Sequence, residues 1–528
     1  MWIPEKKNID PSIYMWVLLI CASLMQIAGS GAVKVSSVVT TRDGTQSLTP
    51  QQPIFFDLYD DNAAGTDTAD EYISIDETIQ FQKIIGIGSS LESSTCYNLM
   101  HMSQETRTET LKMILDKEDG IGMSLMRITI GTSDFAPLPF YSYDDVEEGS
   151  EDFNLEHFSI EADREFILPV LKEAAQYTVV DVDAGDEEDD GLRFFASSWS
   201  PPGWMKDSGS LLGGAYKSDP EYLAAYASYL SKFLAAYEEE GIHVSALTPQ
   251  NEPLQDEDTY PTAHLKAETE ADLIGNHLGP LLESTNSSTA IWCFDHNFNT
   301  LYYPETVLGT AAAAGYIAAT AFHFYGGQPS AMTQLHEEFP SKDVVFSEGS
   351  EFGVRGAAGL VRILRNWART YTAWVTMLDT QMQPNAGPFR PHTTMLELDL
   401  DTLQPIYKFE YYMYGQFSKY IRPGAVRIDS STTMTPASSS RSSRDGESIQ
   451  VAHVAFRRPL ASSSSSSSNR HSIDTSSSSS SSSGLADYTV VLVNENLVPK
   501  NVTILWNKTM STKTQLLPAS ITTLTWTA

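Results

Sequence analysis

Eight short apolar runs, set apart by helix-length connections, constrain this chain more than any other feature. They read KIIGIGSS, SLMRITIG, RFFASSW, HVSALTPQNE, AIWCFDHN, YIAATAFHFY, DVVFSEG and TAWVTML, between Lys83 and Leu378. Runs this short and this apolar suit strands buried on both faces. The stretch between the third and fourth, Tyr222 to Glu240, has apolar residues at three- and four-residue spacing and reads as an amphipathic helix. Strand–helix alternation repeated eight times predicts an α/β fold, a closed (β/α)8 TIM barrel, with a doubly wound open sheet as the alternative. The run GIGSSL at Gly86–Leu91 superficially resembles a dinucleotide loop, but Leu91 stands where the third glycine belongs, so no nucleotide cofactor is implied.

Both ends of the chain differ from the middle. Beyond Gly415, SIQVAHVAF, DYTVVLVNE, NVTILWN and ITTLTWTA are rich in β-branched residues. They predict an additional all-β, β-sandwich-like side domain over 421–528, completed by strands from residues 31–80 around the barrel at 81–420. Ser-rich tracts at about 461–483 cannot bury a core and are expected to be a disordered insertion. Lys6 and Lys7 before the apolar stretch Ile13–Met25, then Ala28-Gly29-Ser30, read as a signal peptide over 1–30. The stretch is short for a membrane span. Sequons at Asn286, Asn501 and Asn507 fit a secretory route ending in a lysosome, a vacuole or the extracellular space. Cys96 and Cys293 are left open as a pair.

A net charge of −34 argues against a nucleic-acid partner, since phosphate binding needs clustered cations. The acidic run Asp181–Asp190 reads as a solvated loop, and no metal site is expected.

In a barrel of this kind, active residues belong at the C-terminal strand ends. The second strand ends near Arg127 and Asp134, and the third in Trp199. The fourth ends in Asn251-Glu252, the sixth in His323, Phe324 and Tyr325, and the seventh in Ser347-Glu348. Two carboxylates facing each other across one mouth are what cleavage of a glycosidic bond requires. Glu351 competes with Glu348 for one of these places.

GMSLMRITIGTSDF, FFASSWSPPGWMKDSGSL, ALTPQNEP, AFHFYGG, VVFSEGSEFG and YYMYGQFSKYIRPGAVRI together resemble glycoside hydrolase family 30, in particular the glucosylceramidases. The resemblance implies a TIM barrel with a β side domain and a retaining β-glycosidase without cofactor. Glu252 would be the acid/base, with a raised pKa, and Glu348 the nucleophile. Asn251 would bond the sugar 2-hydroxyl, and Asp134 and Trp199 would hold the far hydroxyls. Arg127 would keep Glu348 ionised, Tyr325 would hydrogen-bond it, and His323 would line the same wall. The substrate would be glucosylceramide or a related β-glycoside, with a lipid-presenting activator protein or a membrane surface as further partners. An endo-acting hydrolase of β-linked polysaccharide, of the β-1,6-glucanase or xylanase type, is the alternative enzyme, and a silent carbohydrate-binding barrel the non-enzymatic one. The family's strand-eight Trp is expected to be missing, with Leu378 and Asp379 in its place.

Overall fold

The computed structural model describes residues 32–59, 69–177, 191–434, 449–460 and 484–528. The segments read as signal peptide, acidic loop (Asp181–Asp190) and Ser-rich insertion lie outside these residues. Among the described residues, no helix is long and apolar enough to cross a membrane.

Eight parallel strands form the barrel: Gly86–Ser90, Leu125–Ile130, Arg193–Ser198, Val244–Thr248, Ala290–Asn297, Ile317–His323, Asp343–Glu348 and Thr370–Thr372. The first seven pair each with the next in chain order, and the eighth pairs with the first (Thr370 to Gly86). The seventh and eighth close the ring, where Trp374 N donates to the Gly349 carbonyl at 3.0 Å. The closed barrel, not the open sheet, is the observed fold. The eighth strand lies before its expected apolar run and shares only Thr372 with it. Its continuation, Met377–Asp379, instead joins Leu396–Leu398 and Pro405–Tyr407 in a small separate sheet.

The barrel interior is layered by the two-residue period of its strands. Leu125, Phe195, Ala246, Trp292, Ala321 and Val345 fill one apolar layer. Two residues further along five of these strands stand Arg127, Ser197, Thr248, His323 and Ser347, all fully buried. The interior thus changes from apolar packing to a polar layer within one pleat. Outside the strands, the helix Pro220–Glu239 starts with proline in its first turn, as the fixed φ of proline allows. It buries Leu223, Tyr226, Leu230, Phe233 and Tyr237 on one stripe and stops at Gly241, whose φ of +81° suits glycine.

The β side domain is built from both termini. Val33–Thr41 pairs antiparallel with the last strand, Ser520–Thr527. Glu71–Lys83 pairs with Val426–Met434 and, in parallel, with Lys500–Trp506. Ile54–Leu58 meets both Met510–Leu516 and Val33–Thr41, so the sheet folds back on itself. Its core holds Phe56, Ile73, Tyr488, Trp506 and Trp526, with Tyr488 stacked on Trp526 at 5.2 Å. The strands flanking the Ser-rich tract, Ala452–Pro459 and Ala486–Asn494, are antiparallel neighbours. Gln82 Nε2 donates to the carbonyls of Leu364 and Ala368, tying this domain to the end of the helix Gly353–Arg365 and the loop after it. Cys96 and Cys293 are separate buried thiols, so the open question of their pairing resolves to two free cysteines.

Candidate active site

The polar layer at the C-terminal end of the barrel is organised around one carboxylate. Asp295 is fully buried and accepts hydrogen bonds from five sources: Arg127 Nη2 (2.8 Å), Ser197 Oγ (2.9 Å), Thr248 Oγ1 (2.7 Å), Ser347 Oγ (2.5 Å) and His323 Nε2 (2.9 Å). Burial pushes its pKa up, but Arg127 and His323 outweigh this and hold it well below the usual carboxylate range. A break in the strand puts it there. Phe294 and Asp295 both have positive φ (+78° and +57°), and the pairing with the sixth strand shifts register between Ala321 and Phe322. Simple alternation from Trp292 would turn Phe294 inward. The bulge sends Phe294 outward against Tyr303 and turns Asp295 in.

Arg127 spreads its guanidinium across the layer. Nε donates to Ser197 Oγ, Nη2 to Asn251 Oδ1 at 2.8 Å, and Nη1 to Glu348 Oε2. Burial disfavours its charge, yet Asp295 and Glu348 raise its pKa, so it is a permanent cation. Its flat face lies over Trp199 (4.7 Å to the ring centroid) and Trp374 (5.5 Å).

Glu348, at the end of the seventh strand, is 5% exposed. Its second oxygen accepts the Tyr325 hydroxyl at 2.8 Å. Glu252 follows the fourth strand with φ of +47°, a conformation that costs energy for a side chain with a Cβ. It is held by its own N–H to the Asp295 carbonyl (3.0 Å) and by the turn it closes with Gln255. Strain at this residue therefore depends on the same bulge that places Asp295. His323 Nδ1 lies 3.3 Å from Glu252 Oε1 and 3.8 Å from Glu348 Oε1. That shared neighbour caps the separation of the two oxygens at the sum of these distances. Such a cap admits the carboxyl spacing of about 5–5.5 Å used for retention.

The charge state of Glu252 corrects one expectation. Burial raises its pKa, but the imidazoles of His296 and His323 overcome this and hold it at about 2, not above the ordinary value. His323 is itself pushed up to about 10, because Glu348 and Asp295 outweigh its burial. Asp134 moves the other way. Burial, then the nearby charges of Glu348 and Glu252, push its carboxyl well up. Its carbonyl accepts the N–H groups of Ala386 and Gly387, and Gly387 sits so close that a Cβ there would come 2.5 Å from Asp134 Cβ.

All eight residues singled out from strand ends (Arg127, Asp134, Trp199, Asn251, Glu252, His323, Tyr325 and Glu348) meet at this mouth. Glu351 does not: its carboxylate lies against Gly359 of the helix Gly353–Arg365. Sequence reasoning missed Asp295, His296 and Trp374. The rule that picked the other strand ends covers the fifth strand, AIWCFDHN, and its last residues were the signal. Trp374 follows the eighth strand and stacks on Trp199 (5.1 Å between rings, 21° between planes), while Leu378 is buried in the same aromatic cluster.

Comparison with known proteins agrees with this geometry. Residues 84–421 match the Glycosyl hydrolase family 30 TIM-barrel domain. An endo-1,6-β-D-glucanase of Neurospora crassa is 31% identical over 69% of this chain and 76% of its own length. A putative glucosylceramidase of Caenorhabditis elegans is 30% identical over 68% and 72%, and the lysosomal acid glucosylceramidase of Mus musculus 27% over 66% and 70%. Among solved structures, the endo-β1,6-glucanase BT3312 superposes with a TM-score of 0.73 at 25% identity, covering 93% of this chain and 99% of that one.

Proposed function

We propose that this chain, which belongs to glycosyl hydrolase family 30, hydrolyses β-1,6-linked glucan from within the polymer, with retention at the anomeric carbon. Glu348 attacks the anomeric carbon through one carboxylate oxygen. The glycosidic C–O bond breaks, and the leaving oxygen takes a proton from Glu252. The sugar is then an ester of Glu348. Glu252, now a base, removes a proton from water, whose oxygen displaces Glu348, leaving Glu348 a carboxylate and Glu252 protonated as at the start. Arg127 keeps Glu348 ionised and aimed, and Tyr325 fixes its second oxygen. Asn251, anchored by Arg127, faces the sugar 2-hydroxyl. Trp199 and Trp374 form an apolar wall for a sugar face, and Asp134 takes the distant hydroxyls. Glu252 exchanges its proton within the group it forms with His296 and His323, whose imidazoles lie 3.5 and 3.3 Å away.

One observation carries the reaction class: a single atom, His323 Nδ1, lies within 3.8 Å of both carboxylates. The choice of β-1,6-glucan is supported by the activity that names the Neurospora relative and the BT3312 structure. A second reading, cleavage of glucosylceramide, is favoured by the names of the nematode and mouse relatives. We also place the protein on the secretory route, supported by the charged and apolar segments that begin the chain and by exposed sequon residues Asn286 and Asn501. Side-by-side turnover of β-1,6-glucan, β-1,3-glucan, xylan and dispersed glucosylceramide tests the substrate. Oligosaccharides released early from β-1,6-glucan support the reading. Turnover of glucosylceramide alone would replace it with the second, and sugar binding without turnover of any substrate would reject both.

A further inference from the structure

Three side chains at the mouth converge more closely than catalysis by two carboxylates requires. Glu252 Oε1 lies 3.3 Å from His323 Nδ1 and 3.5 Å from His296 Nδ1, and all three donor atoms fall within 4.8 Å of one another. A zinc ion with bonds of about 2.0–2.1 Å and tetrahedral angles separates its ligand atoms by about 3.3 Å. The two measured edges match that tetrahedron. They are poor hydrogen bonds by comparison, both longer than the ordinary range.

Two further features point to a ligand. His296 Nδ1 is buried, in a residue only 8% exposed, and meets Glu252 Oε1 only at 3.5 Å, beyond an ordinary hydrogen bond. An imidazole nitrogen left in that state is costly unless something takes its lone pair. His323 is oriented from behind: its Nε2 meets Asp295 Oδ1 at 2.9 Å, and Asp295 is fixed by four other donors. A carboxylate behind an imidazole, with the other ring nitrogen turned toward the site, is the arrangement that supports metal-bound histidines. The two rings stand nearly perpendicular (83°) with centroids 6.4 Å apart, so their donor atoms approach one point from different sides.

We propose that Glu252, His296 and His323 form a binding site for a divalent transition metal of borderline softness, zinc in the first instance, and that its occupancy switches the hydrolase off. Two imidazoles and one carboxylate suit zinc and its neighbours and do not suit magnesium, which prefers an all-oxygen shell. The bound ion occupies the Glu252 oxygen that exchanges a proton with the substrate, so metal and reaction exclude each other. The binding site stands on geometry alone, whereas the inhibition rests on the role of Glu252 proposed above.

Equilibrium dialysis of the full chain against zinc chloride, with magnesium chloride as a control, tests the site directly. We expect one zinc per chain in excess of a His296→Phe variant, no such difference with magnesium, and weakening of at least about tenfold in that variant. Glu252→Gln serves as a second variant should His296→Phe fail to fold, and should weaken zinc similarly. Equal zinc binding by wild type and folded variants would overturn the site, because the metal would then sit on surface pairs such as His243–Glu238. Turnover measured in parallel separates the two claims. Site-specific binding without loss of turnover would overturn the inhibition and count against Glu252 as acid/base, while leaving the site intact.

Discussion

Arg127 and Asp295 meet at 2.8 Å with both side chains fully buried, and between them they hydrogen-bond Ser197, Thr248, Asn251, His323, Ser347 and Glu348. Removing one charge from such a pair leaves its partner stranded, which costs far more than the pair contributes relative to apolar residues. Asp295→Asn keeps the shape and deletes the charge. It should lower unfolding stability by about 3–5 kcal/mol and depress kcat, because Arg127 then aims less firmly at Glu348. Urea unfolding with circular dichroism, alongside steady-state kinetics, checks both. A variant as stable and active as wild type would mean that Asp295 does not organise the layer.

Trp374 stacks on Trp199 and lies under the guanidinium of Arg127. Trp374→Ala empties a buried wall and should cost about 3–5 kcal/mol of stability. Trp374→Phe keeps a ring there and should lose much less. Because the wall is proposed to meet the sugar, the alanine variant should also raise KM on any accepted substrate, with phenylalanine in between. Equal KM values across the series would remove Trp374 from the sugar site.

Stability should respond to pH through a buried carboxyl outside the proposed catalytic pair. Glu92 caps the helix Ser93–His101, accepts from Thr95 N and Ser90 Oγ, and is fully buried, and burial raises its pKa from 4.5 to about 7. The folded form therefore keeps a proton that the unfolded chain releases above pH 4.5. The resulting stabilisation is complete below that value and is lost as pH rises through about 7, a loss on the order of 3 kcal/mol. Glu92→Gln imitates the protonated form. The gap between variant and wild type should move in the variant's favour by about that amount between pH 4.5 and pH 8, followed by thermal unfolding in a buffer series. A gap that stays constant with pH would show that Glu92 is charged throughout.

Much of this architecture was legible in the letters, for a physical reason. Strands buried on both faces must be apolar throughout, so eight apolar runs were visible, and chemistry had only the strand ends to occupy. Glu252, Glu348, Arg127 and His323 were found that way. Asp295 escaped because reading it requires a bulge. Two-residue alternation counted from Trp292 points Phe294 into the barrel, and nothing local announces the two positive φ values that exchange their directions. Trp374 escaped because its strand was placed too late along the chain: strand eight ends at Thr372, where the apolar run begins, and Met377–Asp379 joins another sheet. The lowered pKa of Glu252 could not be foreseen, since it depends on His296, brought in by that same bulge from the neighbouring strand.

The account's central claim is that Glu348 forms a bond to the sugar and that water, activated by Glu252, breaks it from the same face. Proton NMR of the first sugar released from a β-glycoside that the enzyme turns over, recorded before mutarotation, tests this most directly. Two inversions at one carbon return the β-anomer, which must appear first and decay slowly to the α/β mixture. Initial appearance of the α-anomer would mean one displacement by water, and would contradict the assignment of Glu348 as nucleophile.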